Sequence, residues 1–490
     1  MVRAELIFIP APGVGHLLST VEVAKLLVSR DSRLSISILI MKLPMDTGIN
    51  AFIQSLEKDT TDGIVFRELP ALDEIVISAL MPKPGISFLP SFVESQRTNV
   101  RDAVAAILNG SESSRLAGFV IDMFCTPMVD VADEFGVPSY VFFTSGAAFL
   151  GLMFYAQSLK DDDNHDICEY KDSEVELSIP SYFNPVPAKV LPTVMLSKEG
   201  SAVVTSIARM FRRTKAIISN TVLELEAHAI KSLADDGKIP RIYHVGPIIS
   251  FKRGDDGSKS LNQNSEEAII SWLDKQPPSS VVFLCFGSMG SFEKDQVTEI
   301  ACALELSGHR FLWSLRRPSK VKEKIEMPKE YENFDEVLPE GFLERTTEIG
   351  KVIGWAPQVA ILSHPSVGGF VSHCGWNSTL ESIWSGVPMA TWPLSAEQQI
   401  NAFELVKELG VAVEIKMDYR KEPFVDCEPT LVPAEVIESG IRCLMDGEGE
   451  KVREKMKEMK NNCRKATLEG GSSHISLGNF IDDIMDNIHE

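Results

Sequence analysis

The sequence contains few cysteines, and no pattern uses them together. The 490 residues include eight cysteines, with no C-x-x-C pair and no Cys/His group at zinc-ligand spacing. Scattered cysteines in a long chain predict reduced thiols and a cytoplasmic location. Glu5 and Pro10 interrupt the apolar N-terminal run, so the sequence does not predict a secretory signal peptide.

Basic residues are also scarce relative to acidic ones. The chain has 48 Lys and Arg against 69 Asp and Glu, which gives a formal net charge of −21. Such a field repels nucleic acid and anionic membranes, so neither is an expected partner. An anionic ligand would therefore have to be held by local hydrogen-bond donors. The ordinary share of apolar residues, 44%, excludes a disordered, collagen-like or coiled-coil protein.

One long apolar stretch lacks charged residues, and it is not expected to span a membrane. Residues 135–159 contain no Asp, Glu, Lys or Arg over 25 positions. Pro138 and the Thr144-Ser145-Gly146 turn divide this stretch. We predict a buried strand at 140–143 and a buried helix at 147–157, and no integral membrane segment.

Apolar runs and amphipathic stretches alternate along the chain in the order expected of parallel sheets. Strands are predicted at 6–9, 34–41, 118–121, 140–143, 215–221, 281–286, 311–315, 368–371, 389–392 and 411–415. Helices are predicted at 16–30, 126–135, 147–157, 295–307, 379–385, 433–445, 448–467 and 475–489. The fold class is therefore α/β.

The alternation stops once and then restarts, which predicts two units. Residues 251–266 are polar and rich in Gly and Ser, so we interpret them as a linker between domains at 1–250 and 267–468. Residues 469–490 form a terminal helical segment. The charged insertions at 161–176 and 318–339 are predicted to be surface loops. Because α/β sheets bind ligands beyond the carboxyl ends of their strands, a cleft between the units is the expected site.

One turn has the features of an anion site. Residues 373–378 read HCGWNS and precede the predicted helix 379–385. A helix N-terminus preceded by Gly and polar residues attracts phosphate, and His373, Asn377 and Ser378 would add donors. Ser378 and Glu381 also fit a capping box, and local evidence alone favours that structural role.

A candidate base follows the first strand. His16 comes after a Gly13-x-Gly15 turn, where an α/β active site is expected, and a histidine there can act as a general base. A lone histidine is more often structural. Asp122 ends another predicted strand, so its carboxylate can orient the imidazole and stabilise its protonated form.

Three other chemistries fit poorly. A nicotinamide site would need a third glycine in the turn at 13–18 and an acid after the second strand, where Lys42 stands. A nucleophile elbow would need a glycine in place of Phe286. The acidic run 161–163 has no strand before it, so solvation explains it better than a metal-bound diphosphate does.

Residues 355–398 resemble the 44-residue signature box of plant family 1 UDP-sugar-dependent glycosyltransferases. The sequence of this box begins WAPQ and ends SAEQ, and the resemblance extends to the His16 turn, to Asp122 and to the FGS triplet at 286–288. It implies a GT-B fold, in which two Rossmann-like domains face each other across a cleft. The N-terminal domain would bind the acceptor, the C-terminal domain would bind the UDP-sugar, and the terminal helix would pack back on the N-terminal domain.

The resemblance also implies residue roles. His16 would be the base and Asp122 its partner. Glu381 would bind the ribose hydroxyls, which replaces the capping role. The expected UDP-binding residues are Ser288, Trp355, Ala356, Gln358, His373, Trp376, Asn377, Ser378 and Glu381. The expected sugar-binding residues are Thr144, Trp376, Glu397 and Gln398. The expected acceptor-pocket residues are Gly15, Phe124 and Phe149.

The function implied is inverting transfer of glucose from UDP-glucose to a hydroxyl of a small lipophilic acceptor, giving a β-glucoside. The acceptor would be a flavonoid, another phenolic or a terpenoid. Trp376 and Gln398 go with glucose in this family. Neither a metal nor another cofactor is expected, and the protein is expected to be a monomer. The alternative is a non-catalytic protein that binds small molecules or nucleotide sugars on the same scaffold, but such a protein would not need the His16 and Asp122 pair.

Overall fold

A computed structural model describes residues 3–43, 49–58, 61–80, 85–110, 114–250, 261–319, 328–421 and 430–488. The strands are β1 (Arg3–Ile9), β2 (Leu34–Ile40), β3 (Ile64–Glu68), β4 (Ser114–Asp122), β5 (Ser139–Phe143), β6 (Glu176–Leu177), β7 (Val186–Pro187), β8 (Ala216–Ser219), β9 (Arg241–His244), β10 (Val281–Cys285), β11 (Arg310–Ser314), β12 (Gly350–Ile353), β13 (Val367–Ser372), β14 (Met389–Thr391) and β15 (Ala412–Glu414).

Helices separate most of these strands. They are α1 (Val14–Arg30), α2 (Ile49–Lys58), α3 (Glu74–Leu80), α4 (Gly85–Ser95), α5 (Arg97–Asn109), α6 (Met128–Glu134), α7 (Ala147–Asp161), α8 (Lys198–Phe211), α9 (Ala227–Asp235), α10 (Leu261–Leu273), α11 (Lys294–Ser307), α12 (Phe342–Thr346), α13 (Gln358–Leu362), α14 (Trp376–Ser385), α15 (Gln398–Phe403), α16 (Ala434–Met445), α17 (Glu450–Thr467) and α18 (Ser472–Asp486). A π-helical turn, Glu404–Glu408, continues directly from α15.

The strands form two large parallel sheets. The first has the order β3-β2-β1-β4-β5-β8-β9, and the second has the order β12-β11-β10-β13-β14-β15. In each sheet the strand order reverses between two central neighbours, β1 and β4 in the first and β10 and β13 in the second. These two parallel sheets confirm the predicted α/β class with two Rossmann-like units. The reversal points are where open α/β sheets form their binding crevices.

The central strands are apolar because helices cover both of their faces. In β10 all five residues are buried. The last helix, α18, covers part of the first sheet although it lies at the other end of the chain. Phe480 packs edge-on against Tyr140 with ring centroids 5.1 Å apart, and the Tyr140 hydroxyl donates to Asp483 at 3.2 Å. The chain therefore returns to its N-terminal half at the end.

The structure differs from the expected elements at several places. The sequence analysis missed β3, β9 and β12, which lie at sheet edges and carry exposed or half-buried residues, so they lack a long apolar run. Helix α10 begins at Leu261, inside the predicted linker, while 251–260 and 320–327 lie outside the described residues. The π-helical turn was also unforeseen.

The uncharged stretch and the acidic insertion behave largely as expected. The stretch 135–159 contains β5, a turn and most of α7, and no helix in the described ranges is long and apolar enough to cross a membrane. In the insertion, Asp166 caps a short 3-10 helix, Ile167–Tyr170, and accepts a hydrogen bond from Lys160 at 2.6 Å. Asp161 pairs with Arg209. Asp162, Asp163, Asp172 and Glu174 are exposed, as expected of a surface loop.

Candidate active site

Two residues far apart in sequence meet at the reversal point of the first sheet. Strands β1 and β4 are parallel neighbours, with Ile9 opposite Ile121. His16 lies in the first turn of α1, just after β1, and Asp122 is the last residue of β4. Because carboxyl ends of neighbouring parallel strands lie at one edge, the two side chains meet there.

Their geometry is that of a base and its orienting acid. His16 Nδ1 lies 2.7 Å from Oδ2 of Asp122. The Asp122 side chain is fully buried, and its Oδ1 accepts the backbone N–H of Phe124 at 3.0 Å. The His16 side chain remains 31% exposed. The pairing uses Nδ1, so Nε2 is the nitrogen left for a substrate proton.

The surroundings of His16 adjust its basicity. Burial by itself lowers the pKa of His16, but the charge and hydrogen bond of Asp122, with a smaller effect of Glu397, raise that pKa above its ordinary value. Glu397 belongs to the second half of the molecule, so its charge acts on His16 across the cleft. The raised pKa strengthens His16 as a base once the ring is neutral.

The reversal point of the second sheet carries the predicted anion site. Ser288 follows β10 and is exposed, and His373 follows β13. The His373 ring lies between Gly287 and Gly375, where an added Cβ would come within 2.6 Å of Nε2 in either case. Only glycine therefore fits at both positions. Burial lowers the pKa of His373 to about 4, so the imidazole is neutral and offers one N–H.

The prediction of a capping box at Ser378 and Glu381 is wrong. Helix α14 begins at Trp376 with Gly375 as its N-cap, so Ser378 already lies inside the first turn. The Nε2 of Gln358 donates to Ser378 Oγ at 2.8 Å and to Glu381 Oε2 at 2.7 Å. Gln358 thus joins two residues predicted to bind UDP. Asn377, next to them, is exposed.

Trp355 and Ala356, two of the expected UDP-binding residues, have a neighbour that the sequence analysis missed. Trp355 is half-buried and Ala356 is buried. The backbone N–H of Trp355 donates to Glu330 Oε1 at 2.9 Å. Glu330 belongs to the insertion predicted as a surface loop, and no motif around it signals this contact. It fixes the backbone that presents the indole.

The predicted sugar end draws on both halves. Thr144 follows β5 and is half-buried. Gln398 starts α15, and its Oε1 accepts the backbone N–H groups of Leu394 and Ser395 at 2.8 and 3.0 Å. The amide nitrogen of Gln398 is then the group left for a ligand hydroxyl.

Trp376 occupies a different environment from the one expected of a sugar contact. It is only 2% exposed, and its indole N–H donates to the backbone carbonyl of Asn220 at 2.7 Å. Its ring closely approaches Gly146, where an added Cβ would lie 2.8 Å from Cη2. Trp376 therefore joins the two halves of the molecule, and only its ring, not its N–H, is available to a ligand.

The three residues expected in the acceptor pocket occupy different environments. Phe124 presents its ring to His16 in an edge-to-face contact with centroids 5.4 Å apart. Gly15 is exposed, and no atom of the described residues lies within 4 Å of an added Cβ. Phe149 is buried and packs against Phe143, with ring centroids 6.0 Å apart. Phe124 is thus the candidate beside the base, while Phe149 belongs to the core.

Comparisons with known proteins match nearly the whole chain. The model of the family described as "UDP-glucoronosyl and UDP-glucosyl transferase" matches residues 250–421. UDP-glucose flavonoid 3-O-glucosyltransferase 6 of Fragaria ananassa is 56% identical over 488 residues, which cover 98% of this chain and 99% of the relative.

Two solved structures extend the likeness to the whole fold. A UGT transferase from Siraitia grosvenorii in complex with UDP is 47% identical with a TM-score of 0.85, covering 99% of this chain and 100% of that one. Medicago truncatula UGT71G1 complexed with UDP-glucose is 43% identical with a TM-score of 0.85, covering 98% of each chain.

Proposed function

The chain belongs to the family of UDP-dependent glycosyltransferases, and from this premise we propose that it is an inverting enzyme with His16 as its general base. It transfers glucose from UDP-glucose to a small acceptor. In this proposal residues 1–250 bind the acceptor, residues 267–468 bind the UDP-sugar, and residues 469–490 pack back on the first unit.

The nucleophile is an acceptor hydroxyl activated by His16. Nε2 removes the hydroxyl proton while the oxygen attacks the anomeric carbon from the face opposite the diphosphate, which inverts the configuration and gives a β-glucoside. The Asp122 carboxylate, 2.7 Å from Nδ1, stabilises the imidazolium that forms. Glu397 contributes a second negative charge from across the cleft.

The leaving group is UDP, and its negative charge grows as the bond to glucose breaks. The first backbone N–H groups of α14 have no acceptor within the helix, and the neutral His373 and the exposed Ser288 add donors at the same edge. Gln358 holds Glu381 where it can accept hydrogen bonds from the ribose. These donors offset the diphosphate charge in a chain whose overall charge would repel it.

The acceptor class follows from the pocket and the relatives. The aromatic edge of Phe124 beside His16 favours a flat, lipophilic acceptor. The relative from Fragaria ananassa is named for glucosylation of a flavonoid 3-hydroxyl. We propose a flavonoid or a similar phenolic, with a terpenoid alcohol as the next choice. We also propose metal-independent catalysis, a monomer and a cytoplasmic location, the last in keeping with seven free cysteines in the described ranges.

The contact between His16 and Asp122 is the observation that carries this proposal, because a pure binding protein has no use for an oriented base. The test is a mass-spectrometric assay with UDP-glucose, EDTA and a mixed panel of flavonoids, simple phenols, terpenoid alcohols and carboxylic acids. New hexosides in the phenolic class support the proposal. UDP-glucose left intact across the panel, and again with UDP-galactose and UDP-xylose, favours the binding-protein alternative.

A further inference from the structure

The two halves of the molecule touch along a seam beside the sugar end of the cleft. The π-helical turn Glu404–Glu408 lies on the C-terminal side of this seam. Glu408 accepts hydrogen bonds from the backbone N–H groups of Phe183 and Asn184, at 2.8 and 2.9 Å. A π-turn brings residues four apart close to one face, so Glu404 also points toward the N-terminal half.

Glu404 meets Glu226, and we call these two residues the carboxyl pair. They are 3% and 4% exposed and are hydrogen-bonded to each other. The Glu226 carboxylate also accepts the backbone N–H groups of Ala147 and Ala148, at 2.9 and 2.6 Å. Two ionised carboxylates would repel each other strongly in such a dry place, so one of them carries a proton.

The contacts identify Glu404 as the protonated member. Two backbone N–H groups stabilise the ionised form of Glu226. Oε2 of Glu404 is buried and receives no hydrogen bond from any donor in the described ranges, so no such contact stabilises a negative charge on it. Burial and the negative charge of Glu226 raise the pKa of Glu404 well above its ordinary value, and Glu408 adds to the effect. The Tyr182 hydroxyl also faces these carboxyls and is buried without a partner in the same ranges.

The carboxyl pair connects the two sides of the sugar site. On one side Glu226 binds the N-terminus of α7, which directly follows the turn that begins with Thr144. On the other side Glu404 continues from α15, which begins at Gln398. Glu226 and Glu404 therefore link the element that follows Thr144 to the element that begins at Gln398.

We propose that Glu226 and Glu404 are positioning residues, whose shared proton holds Thr144 and Gln398 at the spacing that the transferred sugar requires. This inference rests on the proposed function. It has a direct consequence for alkaline solution. When Glu404 ionises, the two carboxylates repel, the seam loosens and the sugar is held less well, while UDP itself remains bound by the C-terminal half.

The test compares Glu404→Gln, Glu404→Ala and the control Glu414→Gln. The amide of Glu404→Gln still donates to Glu226 but cannot ionise, so kcat/KM for UDP-glucose should stay within about twofold at pH 7 and lose its alkaline decline. Glu404→Ala should reduce kcat/KM by about 10- to 100-fold, the cost of misplacing groups around a reacting centre. The Kd for UDP should stay within about twofold in both. Glu414→Gln, at an exposed end of β15, leaves the shared proton in place and should keep the alkaline decline.

A second measurement does not depend on activity. Because the pKa of Glu404 is raised in the folded protein, the unfolded chain loses this proton first, and folding stability should fall as pH rises above the ordinary range of a glutamate until Glu404 ionises. The wild-type midpoint of thermal unfolding should therefore decline over that range more steeply than the midpoint of Glu404→Gln.

The outcomes separate the two proposals. A wild-type protein that transfers no glucose overturns the proposed function, while the unfolding midpoints still test the shared proton. An alkaline decline that persists in Glu404→Gln overturns the positioning role. So does a Glu404→Ala variant that is less stable but has unchanged kcat/KM, because that result describes a purely structural contact.

Discussion

His16 and Asp122 are separated by 106 positions in the chain, yet Nδ1 of one lies 2.7 Å from Oδ2 of the other. The fold creates this contact by placing β1 beside β4 with their carboxyl ends at one edge. One ring nitrogen is therefore held by a buried acid, and the other is left for chemistry. Loss of His16 should remove catalysis without disturbing the distant nucleotide site.

We expect His16→Ala to lower kcat by about 10²- to 10⁴-fold, the usual contribution of a general base. The Kd for UDP should change less than twofold, since the predicted UDP-binding residues lie in the second half of the chain. Turnover by mass spectrometry and UDP binding by calorimetry measure the two effects. His228→Ala, at an exposed histidine, is the matched control. A His16→Ala variant with normal turnover would remove this residue from the mechanism.

Asp122→Asn should change the pH profile as well as the rate. Asp122 raises the pKa of His16, and the base must be neutral to accept a proton, so wild-type activity rises with pH through that pKa. Removing the negative charge lowers the pKa of His16, so the acidic limb of the kcat/KM profile should move to lower pH. The plateau should fall by about 10²-fold or more, because the imidazolium loses its partner. An acidic limb at the wild-type position would contradict the pairing.

Glu381→Ala tests the ribose contact. Glu381 accepts a hydrogen bond from Gln358 at 2.7 Å, and its carboxylate has further acceptor capacity for the ribose hydroxyls. We expect a Kd for UDP about 10-fold higher, since hydrogen bonds to a charged group contribute about 1.5–3 kcal/mol. Binding of 2′-deoxy-UDP should weaken less, so the variant should discriminate poorly between the two nucleotides. Glu414→Ala, at an exposed end of β15, is the control, and unchanged discrimination in Glu381→Ala would assign the ribose to another residue.

Removal of divalent cations should leave the rate unchanged within about twofold. In the proposed mechanism the N-terminus of α14 and the neutral His373 would supply the donors for the diphosphate charge, so no cation would be needed. The measurement is turnover after dialysis against EDTA, with and without added Mg²⁺. A rate that falls with EDTA and returns with Mg²⁺ would show that these donors do not suffice.

The sequence predicts contacts that follow from strand order and fails where a contact depends on tertiary packing. His16 and Asp122 were foreseeable, because each follows an apolar strand and such ends converge in parallel sheets. The contact of Glu330 with Trp355 was not, because a charged loop carries no periodic signal of where it folds back. The prediction of a capping box at Ser378 failed because α14 begins at Trp376, and its N-cap is Gly375, three residues before Ser378.

The contacts along the seam between the two halves were not predicted either, because Trp376, Glu226 and Glu404 lie far apart in sequence and belong to different elements. Trp376 was predicted as a ligand contact on resemblance alone, and its indole N–H instead bonds to Asn220. Two buried acidic side chains within apolar helical patterns look like ordinary surface residues in the sequence. Their partners exist only once the two halves meet.

Gly146→Ala should separate that seam with the smallest possible change. Gly146 has ordinary dihedral angles, φ −73° and ψ 158°, so alanine introduces no backbone strain. Its Cβ, however, would lie 2.8 Å from the Trp376 ring and 2.9 Å from Oε1 of Glu226, closer than any real contact. One of those groups must move, and both are buried.

We expect a loss of about 1–3 kcal/mol of folding stability, as for other overpacked sites, and a rise in KM for UDP-glucose. Gly447→Ala is the control, because no neighbour in the part of the chain that the structure describes lies within 4 Å of the added Cβ. Thermal unfolding and steady-state kinetics of both variants give the comparison, and a Gly146→Ala protein with wild-type stability would show that the seam tolerates a wider spacing than the structure indicates.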